Sequence, residues 1–152
     1  MRTRFFEVAK GFEDKNINLP RRTTKHAAGY DLEAAEDVII KPFHKVGKPT
    51  LVPTGIKVFL QEDELLLLCN RSSNPTKRGL VMINGIGIID ADYYGNPTND
   101  GAMSYNFINI KDEDILIKKG ERIGQAIFQK YLITDDDNAE GERLGGFGST
   151  DK

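Results

Sequence analysis

Apolar side chains come along this chain in short bursts, not in the 3.6-residue rhythm of an amphipathic helix. The bursts cover residues 38–40, 55–60, 65–69, 80–89, 103–110, 115–117 and 123–133. Between them stand Lys41-Pro42, Val52-Pro53-Thr54-Gly55, Asn74-Pro75, Asn96-Pro97-Thr98-Asn99-Asp100-Gly101 and Lys119-Gly120. These read as turns, because proline presets φ while glycine and asparagine tolerate positive φ. Short strands bounded by such turns predict an all-β sandwich or barrel. No stretch has a helical period with caps at both ends, and a small helical turn fits after Asn74-Pro75. The run 80–89 is interrupted by Asn84, Gly85 and Gly87, which predicts a bulge or a place where a ligand closely approaches the backbone.

The pattern fades after residue 134. The segment Asp135-Asp136-Asp137-Asn138-Ala139-Glu140-Gly141-Glu142 is acidic and lacks a large apolar anchor, so it reads as a flexible connector. A glycine-rich tail follows, Arg143-Leu144-Gly145-Gly146-Phe147-Gly148-Ser149-Thr150. The expected organisation is one domain, with a β core over 1–134 and a connector and arm over 135–152.

At 152 residues the chain can build one core, burying roughly 68 to 70% of its extended surface. A net charge of -2, with Lys and Arg dispersed among Asp and Glu, argues against a binder of polymeric nucleic acid. One cysteine, Cys69, leaves no intramolecular disulfide and fits a reducing compartment. It reads as a small buried hydrophobe. The first sixteen residues mix charges with apolar residues and offer no signal-peptide core, and the strongest apolar stretch, 65–69, is far short of the ~20 residues of a membrane helix. A cytoplasmic protein without a membrane partner is expected.

Several constellations could carry chemistry. Asp90 and Asp92 end an apolar run, and while a strand persists both carboxylates share a face. They are either a polar strand end entering a turn or a site where one carboxylate takes a proton from water. Arg71-Ser72-Ser73 follows the most apolar strand and either caps a turn or grips phosphate oxygens. The terminal glycines either mark a loose chain end or let backbone N–H groups converge on an anion. His26, His44 and Cys69 cannot supply a cysteine-histidine zinc site of the deaminase kind, and no P-loop occurs.

Five segments in order resemble the five motifs of the trimeric dUTPase family. They are Ala28-Gly29-Tyr30-Asp31-Leu32; Arg71-Ser72-Ser73 with Lys77 and Gly79; Asn84 through Gly87-Ile88-Ile89-Asp90-Ala91-Asp92-Tyr93-Tyr94-Gly95; Gly120-Glu121-Arg122-Ile123-Gly124-Gln125; and Gly145-Gly146-Phe147-Gly148-Ser149-Thr150. The resemblance implies a jelly-roll subunit in a homotrimer whose active sites are shared among chains. It implies hydrolysis of dUTP to dUMP and pyrophosphate with Mg2+ as cofactor, limiting uracil incorporation into DNA. Asp90 would be the catalytic base. Arg71 and Ser72 would hold phosphate oxygens, with Ser73 adding a backbone N–H. Asn84, Gly87 and Ile89 would line the uracil site, and Tyr93 would pack beneath deoxyribose and exclude a 2′-hydroxyl. Phe147 would stack on uracil, with Arg143, Gly148, Ser149 and Thr150 at the β- and γ-phosphates. Asp31 and Gln125 would reach the metal only through water. The chain departs from the family pattern at Asn70 and Ser73, in an insertion over 96–101, and at Glu142, where the family's arginine is displaced to Arg143.

Two other functions compete. A dCTP deaminase shares the fold and the Arg-Ser-Ser loop but needs a catalytic glutamate, where this chain has Asn106 in a strand without carboxylates. A regulatory binding protein on the same fold would use the connector over 134–142 as a partner surface. Some phage members of the family engage repressor proteins, so the resemblance leaves room for such a protein partner as a second role beside catalysis.

Overall fold

The computed structural model describes residues 1–146. The fold is all-β. Eleven strands run Phe5–Val8 (β1), Tyr30–Glu33 (β2), Val38–Ile40 (β3), Thr50–Pro53 (β4), Ile56–Phe59 (β5), Glu64–Asn70 (β6), Leu80–Met82 (β7), Gly87–Asp90 (β8), Ser104–Asn109 (β9), Ile115–Ile117 (β10) and Arg122–Lys130 (β11). One helical turn, Phe43–Val46, follows Pro42, and another occupies Asn74–Arg78, the place expected after Asn74-Pro75.

The strands form a four-stranded sheet ordered β2-β11-β6-β8, a three-stranded sheet β4-β9-β7, and the pairs β1-β5 and β3-β10, all antiparallel. Alternation decides which residues fill the space between sheets. In β6 Glu64, Leu66 and Leu68 are buried, and in β9 Tyr105, Phe107 and Asn109 are. These meet Leu32, Ile40, Val52, Ile56, Leu80, Ile117 and Ile123 in one core. Tyr105 and Phe107 stack at 5.7 Å between ring centres. Gly124 makes that possible, since a Cβ there would lie 2.2 Å from Tyr105 Cζ. The β2-β11 register shifts between Arg122 and Gly124 at the same place.

Three expectations need correction. The run 80–89 is two strands, because Gly85 at φ 73° turns the chain after β7 and Gly85 N–H donates to the Met82 carbonyl. The turn placed at 52–55 begins later, since Val52 and Pro53 end β4 opposite Tyr105 and Ser104. The run 123–133 keeps its partner only to Lys130, leaving Leu132 97% exposed. Strands β1, β2 and β4 were not anticipated. Cys69 is half-buried, and burial pushes its thiol pKa up. No helix among the described residues is long and apolar enough to cross a membrane.

Candidate active site

The carboxylate of Asp90 stands where β8 leaves its sheet. Leu65 of β6 faces Asp90 and Leu68 faces Gly87. Gly87 packs closely there, as a Cβ would lie 3.0 Å from Leu68 Cβ. The chain then turns through one turn of 3-10 helix, Ala91–Tyr93. Asp92 therefore lies outside the strand that was expected to align it with Asp90. Both carboxylates nevertheless reach one partner, because Arg143 Nη2 lies 2.6 Å from Asp90 Oδ2 and Arg143 Nε lies 2.7 Å from Asp92 Oδ1. The hydrogen bond donated to Asp92, aided by both acidic charges, holds the guanidinium pKa above its ordinary value although partial burial opposes it. The displaced arginine of the fifth motif thus pairs with both carboxylates.

These groups border a cavity of about 200 Å3. Asn84, Gly87, Ile89, Asp90, Tyr93 and Arg143 all line it, so six of the residues anticipated from the sequence converge on one hollow. Asn106 lines it as well, where a deaminase would need a carboxylate. Tyr93 is 5% exposed, and burial pushes its phenol pKa up. The arm touches its ring: a Cβ on Gly146 would lie 2.6 Å from Tyr93 Cε1. Next to it, Arg143 Nη1 donates to the Gly145 carbonyl at 3.1 Å.

A second group forms elsewhere on the four-stranded sheet. Gln125 of β11 faces Asp31 of β2 on one side and Cys69 of β6 on the other. Gly29 lets Gln125 lie across the first motif, since a Cβ there would be 2.3 Å from Gln125 Oε1. Gln125 Nε2 donates to the Asn70 carbonyl at 3.3 Å, and Arg71 Nη1 donates to the Arg122 carbonyl at 3.2 Å. Asn70 Oδ1 accepts from Arg71 N–H at 2.9 Å, so the asparagine standing in place of the family's proline caps the loop. Ser72 is exposed and Ser73 half-buried in that loop. Asp31 accepts from Thr23 Oγ1 at 2.5 Å and pairs with Arg122 at 3.5 Å. It lines a polar groove of about 490 Å3 with Arg21, Arg22 and Arg122. The sequence offered the Arg21-Arg22 pair as a signal of that groove, and it was not read.

The two groups do not meet within the subunit, and no residue lines both hollows. Asp90 faces Leu65, while Arg71 lies six residues further along the same strand direction. At about 3.3 Å per residue the separation is roughly 20 Å.

The arrangement suits phosphate chemistry in two parts. One hollow has a carboxylate, a tyrosine and exposed strand backbone. The other surface has an arginine, hydroxyls, a carboxylate and an amide oxygen. Oxygen donors of this kind fit a hard cation such as Mg2+ that keeps most of its water. Among the described residues, no three His, Cys, Asp or Glu side chains converge as direct ligands. Phe147, Gly148, Ser149 and Thr150 lie outside the described residues.

Comparison with known proteins gives the family. The dUTPase family model matches residues 15–150. A deoxyuridine 5'-triphosphate nucleotidohydrolase of Lactococcus lactis subsp. lactis (strain IL1403) is 49% identical, covering 99% of each chain. The crystal structure of dUTPase from Streptococcus mutans superposes with a TM-score of 0.79 at 44% identity, covering 86% of this chain and 98% of that one. A mutant dUTPase from phage phi11 of S. aureus, whose structure concerns coordination of a structural Mg(II) ion, superposes at 0.70. At 22% identity, over 92% of this chain and 98% of that one, this last likeness shows the fold alone.

Proposed function

The chain belongs to the dUTPase family, and from that membership we infer that it hydrolyses dUTP to dUMP and pyrophosphate, with Asp90 as the base. The observation that carries the assignment of the base is the placement of Asp90 beside Tyr93, Asn84 and Gly87 on one cavity. Asp90 takes a proton from water, the water oxygen bonds to the α-phosphorus, and the bond from that phosphorus to the bridging oxygen breaks as pyrophosphate leaves. An ionised carboxylate is needed for the first step. Arg143 occupies Asp90 Oδ2, so it must leave that oxygen to the water when nucleotide enters, and the γ-phosphate is a natural acceptor for its fork of donors.

Arg71 and Ser72 grip phosphate oxygens in this reading, with the Ser73 N–H beside them. Asp31 and Gln125 orient water around Mg2+, which when bound would neutralise phosphate charge. Because roughly 20 Å separates Asp90 from Arg71 within a subunit, the halves of one site come from different copies of the chain. A closed homotrimer joins them by a single repeated contact. The β core over 1–134 then carries the first four motifs and the segment over 135–152 the fifth, and a cytoplasmic place follows from the substrate.

Uracil is read by backbone and amide groups around Asn84, Gly87 and Ile89. Such a hydrogen-bonding site leaves buried groups unpaired with cytosine, a mismatch that can discriminate by about 10⁴ or more. Asn106 in the cavity argues further against deamination of dCTP, because an amide cannot shuttle the proton that reaction requires. The test is a panel of dUTP, dCTP, dTTP and UTP with Mg2+, assayed for pyrophosphate and ammonia. Pyrophosphate from dUTP alone is expected, and ammonia from dCTP would overturn the reading.

Tyr93 selects the sugar by packing beneath it. Tyr93→Ala should narrow the preference for dUTP over UTP by about tenfold or more, the range a packing contact provides. The ratio of kcat/KM for the two nucleotides measures it. An unchanged ratio in an active variant would assign the sugar to another residue.

A further inference from the structure

We propose that Asn99, carried on the 96–101 insert, is a positioning residue for sugar selection, holding the Tyr93 hydroxyl so that the ring cannot tilt away from a 2′-hydroxyl. This rests on the role given to Tyr93 above. Tyr93 ends a turn of only three residues, so regular structure does little to fix its ring. Its hydroxyl is held instead from the far end of the insert. It donates to the Ala102 carbonyl at 3.0 Å and accepts from Asn99 Nδ2 at 2.7 Å.

Asn99 is itself held on every side. Its Oδ1 accepts from Asn96 Nδ2 at 2.8 Å and from Gly101 N–H at 3.0 Å. Its own N–H donates to Asn96 Oδ1 at 3.1 Å. Asn96 is buried and donates to the Tyr93 carbonyl at 2.7 Å, so the two asparagines grip both ends of the tyrosine. The next residue anchors the loop to the body of the protein: Asp100 Oδ2 lies 2.8 Å from Lys57 Nζ and accepts from Lys10 N–H at 2.9 Å. Gly101, at φ 90°, closes the loop against the tyrosine backbone, where a Cβ would lie 2.9 Å from the Tyr93 carbonyl oxygen.

So closed a network exceeds what a surface turn needs. Excluding one hydroxyl group by packing depends on the ring staying within a fraction of an ångström of its place, and the hydrogen bonds that hold the phenol provide that rigidity. Losing the Asn99 amide would remove one of the two bonds to the phenol and open space beside the ring.

The experiment compares Asn99→Ala, Tyr93→Phe and their combination by kcat/KM for dUTP and UTP. Each single variant should cut the preference by about three- to tenfold, mainly through a gain on UTP. The double variant should lose no more than the worse single one, because both break the same bond. Asn99→Asp keeps oxygens for Asn96 and Gly101 but has no N–H to donate to the phenol, whose single proton goes to the Ala102 carbonyl, so it should lose the preference as Asn99→Ala does. Parallel loss on both nucleotides in Asn99→Ala, with the ratio unchanged, would show a merely structural loop and overturn the proposal, as would additive losses in the double variant. If Asn99→Ala does not fold, Tyr93→Phe alone decides, and an unchanged ratio there overturns it. Tyr93→Ala separates the two levels: no change in its ratio removes the role of Tyr93 itself, whereas a change there without one in Asn99→Ala removes only the positioning.

Discussion

Asp90→Asn should leave a folded protein that still binds dUTP while turnover falls by on the order of 10² or more, the usual weight of a positioned general base. An amide is isosteric with the carboxylate and can still receive a hydrogen bond from Arg143, so cavity shape is kept while basicity is lost. Asp92→Asn should be much milder, since Asp92 lies off the strand that carries Asp90. Single-turnover hydrolysis beside nucleotide binding measures both, and near-normal turnover in Asp90→Asn would remove it as base. The separation of Asp90 from Arg71 adds a second expectation. Asp90→Asn and Arg71→Ala subunits, each severely impaired alone, should regain activity when refolded together. A one-to-one mixture of cyclic trimers contains about a quarter of its sites intact. No recovery would mean that each chain completes its own site.

The sequence and the structure agree most closely where a local pattern had a single physical meaning. Val38–Ile40 and Ile115–Ile117 are strands as their branched residues suggest, and they pair with each other. Leu66 and Leu68 alternate into the core as a period of two requires. The strands that went unread have mixed composition. Phe5–Val8 and Tyr30–Glu33 each contain a charged residue, and Thr50–Pro53 ends in a proline that reads as a turn. Proline is tolerated there because β4 is an edge strand of its sheet. In the site, Asn84, Gly87, Asp90 and Tyr93 were legible through motif order, and the cavity collects them. The grip of Asn99 on Tyr93 was not legible. A turn-rich run of Asn, Pro, Thr, Asp and Gly looks the same whether it merely reverses the chain or holds a neighbouring phenol, and only the folded loop distinguishes the two. The ion pairs of Arg143 were hidden for a different reason, as residues 143 and 90 are far apart in the chain and nothing local couples them.

Removing Gly145 to Lys152 should leave a stable trimer whose turnover is severely reduced, by about 10² or more, a scale expected when the reacting groups lose their fixed geometry. The core has no need of that segment. The sheets close by Lys130, and residues 135–142 are exposed without regular structure. What the segment does reach is the site: Gly146 lies against the Tyr93 ring, and the Gly145 carbonyl accepts from Arg143, which in turn holds Asp90 and Asp92. Thr98 Oγ1 also donates to the Leu144 carbonyl at 2.5 Å, so the 96–101 insert receives the arm just before the cut. Truncation after Leu144 therefore keeps the arginine and its receiver, and removes Gly145, Gly146, the residues of the fifth motif proposed to touch nucleotide, and the last two residues, Asp151 and Lys152. Phe147 on uracil would contribute about 0.5 to 1.5 kcal/mol beyond its buried area, while Gly148, Ser149 and Thr150 would donate to the β- and γ-phosphates. Covering the triphosphate also expels water and strengthens each of those charge contacts. Phe147→Ala should fall between the truncation and the intact chain, because it loses the stack and keeps the phosphate donors. Steady-state hydrolysis and sedimentation of each variant are the measurements. Full activity without the segment would refute its part in catalysis, and loss of the trimer would make it a structural element instead.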